Sequence, residues 1–315
     1  MENSIFRTQY KTNKELKPID YNSEIILFGS CFSENIGAKF DYFKFQSTTN
    51  PYGVLFNPAA IEKAISECIE GKKYADKDLI SHNDLWHSFN HHSDFSGSEK
   101  SDVLNKINST IVTTQKKLRS ASHIIITLGT SWVYQSNETK QIVANCHKIP
   151  QREFAKKLLS ITEIEKSIKN IKDTIYNFNS DVHIIFTVSP VRHLKDGMIE
   201  NTLSKSHLIA AIHTSLDTNT SYFPAFEIMM DDLRDYRFYK EDMLHPNSLA
   251  VDYIWDKFKK TWIASKTEKL QETIDNIQKS LAHKPFNPSS EQHKKFKNHL
   301  KKRILELKNN FNISF

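Results

Sequence analysis

Near its start the chain reads Ile25-Ile26-Leu27-Phe28-Gly29-Ser30-Cys31-Phe32-Ser33. Four large apolar residues end abruptly at Gly-Ser, and residues that are compatible with a helix follow. A continuous apolar run is typical of a strand that is buried on both faces of a parallel sheet. Such a strand delivers a small nucleophile to the rim of an α/β sheet. Ser30 is therefore a candidate catalytic residue.

Two further apolar runs, over residues 122–128 and 182–188, also predict buried strands. They end in Gly129-Thr130-Ser131-Trp132 and in Ser189-Pro190-Val191-Arg192-His193. Residues 222–229 predict a last strand. Apolar spacing predicts helices between the strands, over residues 33–45, 59–70, 101–118, 151–177, 203–215 and 252–263. This alternation indicates a parallel sheet covered on both faces, with its ligand site at the carboxyl ends of the strands.

A serine needs a base to take its proton, and the base needs an acceptor that orients it. Asp242 and His245, which are three positions apart, form the one suitable pair in the sequence. They follow the last predicted strand, so both side chains can face the rim. We expect Asp242 to hold the imidazole tautomer while His245 activates Ser30. A histidine that is bonded locally at a helix start is the structural alternative.

These residues resemble the signature of the GSCFA domain family, within the SGNH (GDSL-like) hydrolase superfamily. The resemblance covers roughly residues 20–260. Besides residues 29–33, it extends to the motifs Asn50-Pro51-Tyr52-Gly53, Leu128-Gly129-Thr130-Ser131-Trp132, Asn145-Cys146-His147-Lys148, Ser189-Pro190-Val191-Arg192-His193, Tyr222-Phe223-Pro224-Ala225-Phe226-Glu227 and Asp242-Met243-Leu244-His245-Pro246-Asn247. It implies an α/β fold, a three-layer α/β/α sandwich with a mostly parallel sheet in flavodoxin-like order, and ester chemistry at Ser30.

The resemblance also implies an oxyanion hole, made in the superfamily by the N–H of the serine, a glycine N–H and an asparagine side chain. The N–H groups of Ser30 and Gly53 match the first two donors. Ser131 stands where the asparagine is expected, and a hydroxyl has a shorter reach. Loss of one such donor costs on the order of 3 kcal/mol in the transition state. Asn145, in the next polar segment, is a candidate substitute.

Other residues allow more than one interpretation. Cys31 is an alternative nucleophile, although no neighbouring basic residue in sequence lowers the pKa of its thiol. Trp132, Arg192 and His193 are candidate substrate-binding residues, with core packing or a salt bridge as alternatives. The loop over residues 71–100 contains His87 and His91, which we expect to line the substrate site unless the loop is simply solvated. The spacing of its histidines does not favour a metal site, and we expect no cofactor.

Composition limits the remaining functional classes. A length of 315 residues allows one large α/β domain or two ordinary ones. We expect one α/β domain over 1–263 and a basic helical extension over 264–315. Residues 265–315 contain 11 Lys and Arg against 5 Asp and Glu, which accounts for the whole net charge of +6. A nucleic-acid partner is therefore disfavoured, and no segment resembles a membrane span. Three widely spaced cysteines and the absence of a signal-peptide pattern predict a cytoplasmic protein with reduced thiols.

The sequence therefore favours a serine esterase or O-acyltransferase that acts on a small-molecule or carbohydrate ester, with deacetylation of a carbohydrate as one case. A non-catalytic module that binds the same kind of ligand is the alternative, motivated by Ser131. Nucleic-acid association through the basic tail is a third, weaker hypothesis. Neither the substrate nor the oligomeric state follows from the sequence.

Overall fold

The structure, a computed structural model, describes residues 8–315. Its strands are β1 (Glu24–Gly29), β2 (Gln46–Thr49), β3 (Ile80–His82), β4 (Leu85–His87), β5 (His123–Leu128), β6 (Trp132–Ser136), β7 (Ile142–Val143), β8 (Phe154–Leu158), β9 (His183–Val188) and β10 (Thr220–Phe223). Its α-helices are α1 (Cys31–Tyr42), α2 (Pro58–Glu70), α3 (Lys100–Ser120), α4 (Ile161–Phe178), α5 (Met198–Ser215), α6 (Ala225–Glu227), α7 (Ser248–Trp262), α8 (Glu268–Ala282) and α9 (Glu291–Phe311).

The centre of the molecule is a five-stranded parallel sheet in the order β2-β1-β5-β9-β10. The strands enter the sheet as the second, first, third, fourth and fifth along the chain, which is the flavodoxin-like order. The expected α/β fold with a parallel sheet is therefore confirmed. The three predicted buried strands are β1, β5 and β9, and they form its middle.

Alternate residues of the middle strands face opposite helical layers. Ile26, Ile124 and Ile184 lie side by side in register and pack against α2, α3, α4 and α5. Ile25 and Ile125 belong to the other face, where α1 and α7 supply Phe and Trp side chains. Because the strands are buried on both faces, their sequences are continuously apolar instead of alternating.

The predicted helix over residues 151–177 is wrong in its first part. Residues 154–158 form β8, which pairs antiparallel with β6, and β6 also pairs with β7. The helix α4 begins only at Ile161, because Ser160 and Glu163 form a reciprocal capping box there. The resulting three-stranded sheet follows β5 directly in the chain, since β6 begins four residues after Leu128.

The predicted strand over residues 222–229 is also too long. The observed strand β10 stops at Phe223, and Pro224 follows it. Proline has no N–H to donate to a neighbouring strand, so the pairing ends there. Helical turns continue from α6 through Asp232.

The extension predicted at the C-terminus is helical, as expected. The helices α8 and α9 pack on each other through Ile274, Ile277, Leu300 and Leu307. No helix among residues 8–315 has the length and apolar character that crossing a membrane requires.

Candidate active site

Ser30 occupies the junction between the central strand β1 and the helix α1. It is the N-cap of α1, and its Oγ accepts a hydrogen bond from the N–H of Phe32 at 3.2 Å. Gly29 before it has a φ of +145°, and a Cβ there would stand 2.3 Å from the carbonyl oxygen of Thr127. Glycine at position 29 is thus a steric requirement of the strand end. Ser30 is only 1% exposed.

Asn50 lies at the carboxyl end of β2, beside Gly29, and sequence reasoning did not single it out. Its Oδ1 accepts a hydrogen bond from the N–H of Gly29 at 2.9 Å. Its Nδ2 is buried and has no hydrogen-bond partner among the residues that the structure describes. A buried amide without a partner costs free energy, and such exceptions are uncommon in folded proteins. The unpaired amide therefore marks this position as a candidate ligand contact near Ser30.

Gly53 closes the turn that begins at Asn50. Its N–H donates to the carbonyl oxygen of Asn50 at 2.7 Å, so this predicted oxyanion donor is engaged within the turn. Its φ is +75°, and a Cβ at this position would stand 2.2 Å from the Cβ of His92. Both the backbone conformation and the close contact with His92 therefore require glycine at this position.

We expect Gly53→Ala to lower the free energy of unfolding by roughly 2–4 kcal/mol, because a left-handed backbone and an overpacked contact add. Urea denaturation would measure the loss. Gly71→Ala is the matched control: its φ is +66°, but its nearest neighbour is a flexible glutamine amide 3.3 Å away. Equal losses in both variants would contradict the packing argument.

Asp242 and His245 form the predicted pair in the loop that precedes α7. The Nδ1 of His245 lies 2.7 Å from the Oδ2 of Asp242. The other carboxylate oxygen accepts the backbone N–H groups of His245 and Leu244, at 3.0 and 2.8 Å. These backbone hydrogen bonds, together with the imidazole, lower the pKa of Asp242 to about 2. The carboxylate is therefore ionised at neutral pH and fixes the orientation of the imidazole.

This pair and Ser30 are separate in the hydrogen-bond network of the described residues. Among residues 8–315, no hydrogen bond joins Ser30 to His245. The charge of Lys240, in the same loop, nevertheless acts on the thiol of Cys31, beside Ser30. Asp242 and His245 are thus assembled as a pair, whereas their contact with Ser30 is not formed in this structure.

A cavity of about 310 Å³ adjoins His245 at the carboxyl ends of β5 and β9. Three residues predicted to bind substrate line it together with His245: Trp132, Arg192 and His193. Small-molecule sites in proteins are usually clefts of at least this size with a few polar groups on their walls. The rim that the sequence predicted is therefore an actual concave surface.

His193 is held neutral at the wall of this cavity. Its backbone N–H donates to the Oδ1 of Asn201, and its ring Nε2 is buried without a partner among residues 8–315. Burial, followed by the charges of Lys205 and His245, lowers the pKa of His193 to about 3. A neutral imidazole can accept or donate a hydrogen bond to an uncharged ligand group.

Ser131 is directed away from an oxyanion role by α5. Its hydroxyl donates to the carbonyl oxygen of Ser204 at 3.1 Å, and its N–H donates to the Oγ of Ser204 at 2.8 Å. Asn145 uses its Oδ1 to accept the N–H of His147 at 2.9 Å, in a local turn. Neither side chain is hydrogen-bonded to Ser30 among the described residues.

His87 and His91 do not reach the cavity beside His245. The ring of His87 bonds the hydroxyl of Ser96 and the carbonyl oxygen of His82. The ring of His91 is fully buried and stacks on Tyr52 with centroids 4.2 Å apart. Both rings therefore stabilise the long loop internally. Tyr74, Leu79 and Phe95 anchor the loop on the core, while most of its other residues are exposed or half-buried. Within residues 8–315, no three His, Cys, Asp or Glu side chains converge as metal ligands would.

Lys205 on α5 is the main site residue that sequence reasoning missed. It is fully buried, and its ammonium donates to the carbonyl oxygens of Gly129 and Ser189 at 2.7 and 2.8 Å. Gly129 and Ser189 follow β5 and β9 directly, so the side chain of Lys205 links the carboxyl ends of these two strands. Burial lowers the pKa of Lys205 to about 7. The sequence contained one signal of this burial. Lys205 precedes Leu208 and Ile212 by three and seven positions, which places it on the apolar face of the helix.

Cys31 is half-buried at the first position of α1. Burial raises the pKa of its thiol above the ordinary value, with a further contribution from Glu34. A raised pKa lowers the fraction of reactive thiolate at neutral pH. The electrostatics therefore disfavour Cys31 as the nucleophile.

Comparison with known proteins assigns most of the chain to one family. Residues 24–258 match the GSCFA family, and residues 274–315 match the C-terminal domain of GSCFA domain proteins. No curated protein matches the chain. Among solved structures, it is similar to an acetyl xylan esterase from the rumen bacterium Butyrivibrio proteoclasticus, with a TM-score of 0.36 and 8% identity over 84% of this chain. The chain spans 65% of the length of that esterase chain. The first match alone covers more than two thirds of the sequence, and the chain belongs to the GSCFA family.

Proposed function

We propose that this protein is a serine-dependent ester hydrolase or O-acyltransferase of the SGNH type, with Ser30 as nucleophile, His245 as base and Asp242 as its orienting partner. The observation that carries the proposal is the 2.7 Å contact between His245 Nδ1 and Asp242 Oδ2 at the rim where Ser30 ends β1. A carboxylate on Nδ1 leaves Nε2 free to take a proton from a serine.

The chemistry would proceed through an acyl-enzyme. The Oγ of Ser30 attacks the ester carbonyl carbon while Nε2 of His245 takes the hydroxyl proton. The same proton passes to the leaving alcohol oxygen as the carbon–oxygen bond breaks. Water then attacks the acyl-serine and releases a carboxylic acid, or an acceptor alcohol attacks and makes the reaction a transfer. In the structure the Oγ of Ser30 accepts the N–H of Phe32 and is not bonded to His245, so the first step requires the hydroxyl and the imidazole to come within hydrogen-bond distance.

The negative charge of the tetrahedral intermediate would develop at the start of α1. The dipole of a helix favours an anion at its N-terminus. The N–H groups of Ser30 and Phe32 are engaged in this structure, with the carbonyl oxygen of Thr127 and the Oγ of Ser30 at 3.2 Å each, so an oxyanion would have to replace these contacts. The unpaired Nδ2 of Asn50 is the side-chain donor best suited to replace the asparagine expected at Ser131, because its own Oδ1 is already held by Gly29. The burial of these groups strengthens their electrostatic effect on a developing oxyanion.

The test is labelling of the purified protein with a fluorophosphonate, followed by peptide mass spectrometry, beside hydrolysis of 4-nitrophenyl acetate. We expect stoichiometric phosphonylation of Ser30 and release of 4-nitrophenol that the label abolishes. The label should react more slowly with Asp242→Asn protein than with the wild type, because the imidazole of His245 then lacks its carboxylate partner. Absence of labelling and of turnover across acetyl, butyryl and aryl esters would reject the proposal.

A non-catalytic binding module is the second candidate. The 1% exposure of Ser30 and the engagement of Ser131 by Ser204 are the observations that favour it. Such a module would bind an acylated ligand in the cavity beside His245 without turning it over. Ligand binding that survives Ser30→Ala, in a protein that hydrolyses no ester, would select this function.

A further inference from the structure

The cavity beside His245 has a pronounced excess of positive charge. Arg192, Lys195 and Lys156 all line it, whereas Asp196 is its one carboxylate among the residues described. Asp196 is already paired with Lys156. Two cations therefore face the cavity without a neutralising acid.

The surroundings of these two cations show that neither is held by a salt bridge. Among residues 8–315, no carboxylate lies within salt-bridge distance of Arg192 or Lys195. The guanidinium of Arg192 instead lies 5.8 Å from the centre of the Tyr239 ring. The sequence alternative of a structural salt bridge at Arg192 is thus not what the fold contains.

Like charges also crowd each other here. The pKa of Lys156 is lowered, first by burial and then by the charge of Lys195. The ammonium of Lys156 additionally lies 5.0 Å from the centre of the Trp132 ring. A ligand anion in the cavity would relieve this repulsion, because opposite charges a few ångströms apart attract strongly near a protein surface.

The remaining residues that line the cavity suit an uncharged ligand group that carries hydroxyls, such as a sugar ring. The indole of Trp132 and the ring of Tyr134 supply apolar surface, and the half-buried, neutral ring of His193 also lines the cavity. Aromatic walls with a few placed polar groups are usual in sites for small ligands. The cavity therefore combines an anion subsite with a surface for a sugar-sized group.

We infer that the substrate is an ester that carries a carboxylate, bound by Arg192 and Lys195 next to the catalytic base. This inference rests on the proposed ester chemistry and adds the charge of the substrate to it. The carboxylate has two chemical sources: the acyl group, as in a hemisuccinate, or the alcohol, as in an acetylated uronic acid. The position of His245 at the cavity edge is compatible with either source.

The experiment compares kcat/KM for matched charged and neutral esters. One arm uses 4-nitrophenyl hemisuccinate against 4-nitrophenyl butyrate. The other uses acetylated methyl glucuronoside against acetylated methyl glucoside. We expect a preference of about 10–100-fold for the charged member in one arm, since a hydrogen bond to a charged group contributes that much. The arm that shows the preference identifies the source of the carboxylate.

The variants are Arg192→Gln, Lys195→Gln and the double substitution, with Arg192→Lys as the conservative rescue. Lys166→Gln, at an exposed position on α4 away from the cavity, is the control that removes the same charge. The quantity compared is the ratio of the two kcat/KM values, so a general loss of activity cancels. The double variant should reduce the ratio to about 1, whereas Lys166→Gln should preserve it; added salt should reduce it in the wild type.

Equal rates for charged and neutral esters, or a preference that survives in the double variant, would overturn the inference while leaving the ester hydrolase in place. A protein that hydrolyses none of the four esters would refute the proposed hydrolase instead. Calorimetric titration with glucuronate, succinate and glucose would then decide about the anion subsite. Binding of an acid, but not of glucose, that is lost in the double variant supports it, and any other pattern rejects it.

Discussion

Replacement of Ser30 by alanine is expected to lower kcat for 4-nitrophenyl acetate by about 10⁴-fold or more, as removal of a triad serine does in other hydrolases. The physical reason is that the one other hydroxyl at the junction of β1 and α1 among the described residues, that of Ser33, is engaged elsewhere. The buried hydroxyl of Ser33 is directed to the carbonyl oxygen of Phe28, at 3.4 Å. Ser33→Ala is therefore the matched control, and it should retain the activity.

Ser30→Ala also removes the N-cap of α1, which stabilises a helix by about 1 kcal/mol. Ser30→Gly separates this structural loss from the chemical one, because glycine is nearly as good an N-cap. Both variants should be inactive, while thermal denaturation should show a smaller loss for glycine. Activity within tenfold of wild type in Ser30→Ala, combined with its loss in Cys31→Ala, would assign the nucleophile to the thiol.

The second large effect is expected in the pH dependence of stability, and it comes from Lys205. Burial lowers the pKa of this lysine to about 7 in the folded chain, whereas an unfolded chain has a lysine pKa of about 10.4. Between these values the unfolded state binds one more proton. The free energy of unfolding therefore rises with pH, by at most about 1.4 kcal/mol per unit. This contribution is complete above about pH 10.4 and is lost as the pH falls through about 7.

Urea denaturation at several pH values between 7 and 9.5 would measure this rise. Lys205→Met should abolish it, and should also lose a pH-independent amount because the carbonyls of Gly129 and Ser189 lose their donor. Lys166→Met, on the exposed side of α4, should follow the wild-type profile. Parallel profiles for wild type and Lys205→Met would show that Lys205 does not titrate in this range.

The parts of the fold predicted from the sequence are those that local composition determines. The strands β1, β5 and β9 are buried on both faces, so their apolar runs are unambiguous. The polar edge strand β2 gave no such signal, because its four residues Gln-Ser-Thr-Thr are partly exposed and its pairing with β1 is a long-range contact. The strand β8 was read as helix for the same reason, since only its pairing with β6 distinguishes it.

The site shows the same difference between residues that local motifs identify and residues that only long-range contacts identify. Ser30, Asp242 and His245 are recognisable as candidates because short sequence motifs contain them. Lys205 and Asn50 contact partners that are distant in sequence, so their positions do not follow from local patterns, although Asn50 belongs to a family-like motif. His87 and His91 were placed at the substrate because a histidine-rich loop suggests chemistry, whereas their rings complete the hydrogen bonding of that loop.

One turn of α5 holds both rim segments, through side chains that are three and four residues apart. Asn201 accepts the N–H of His193, Ser204 binds Ser131, and Lys205 bonds the carbonyls of Gly129 and Ser189. An α-helix advances 100° per residue, since it has 3.6 residues per turn. A single residue inserted between Met198 and Asn201 would rotate all three contacts off the rim together. The first two turns of α5 therefore set the spacing between the ends of β5 and β9.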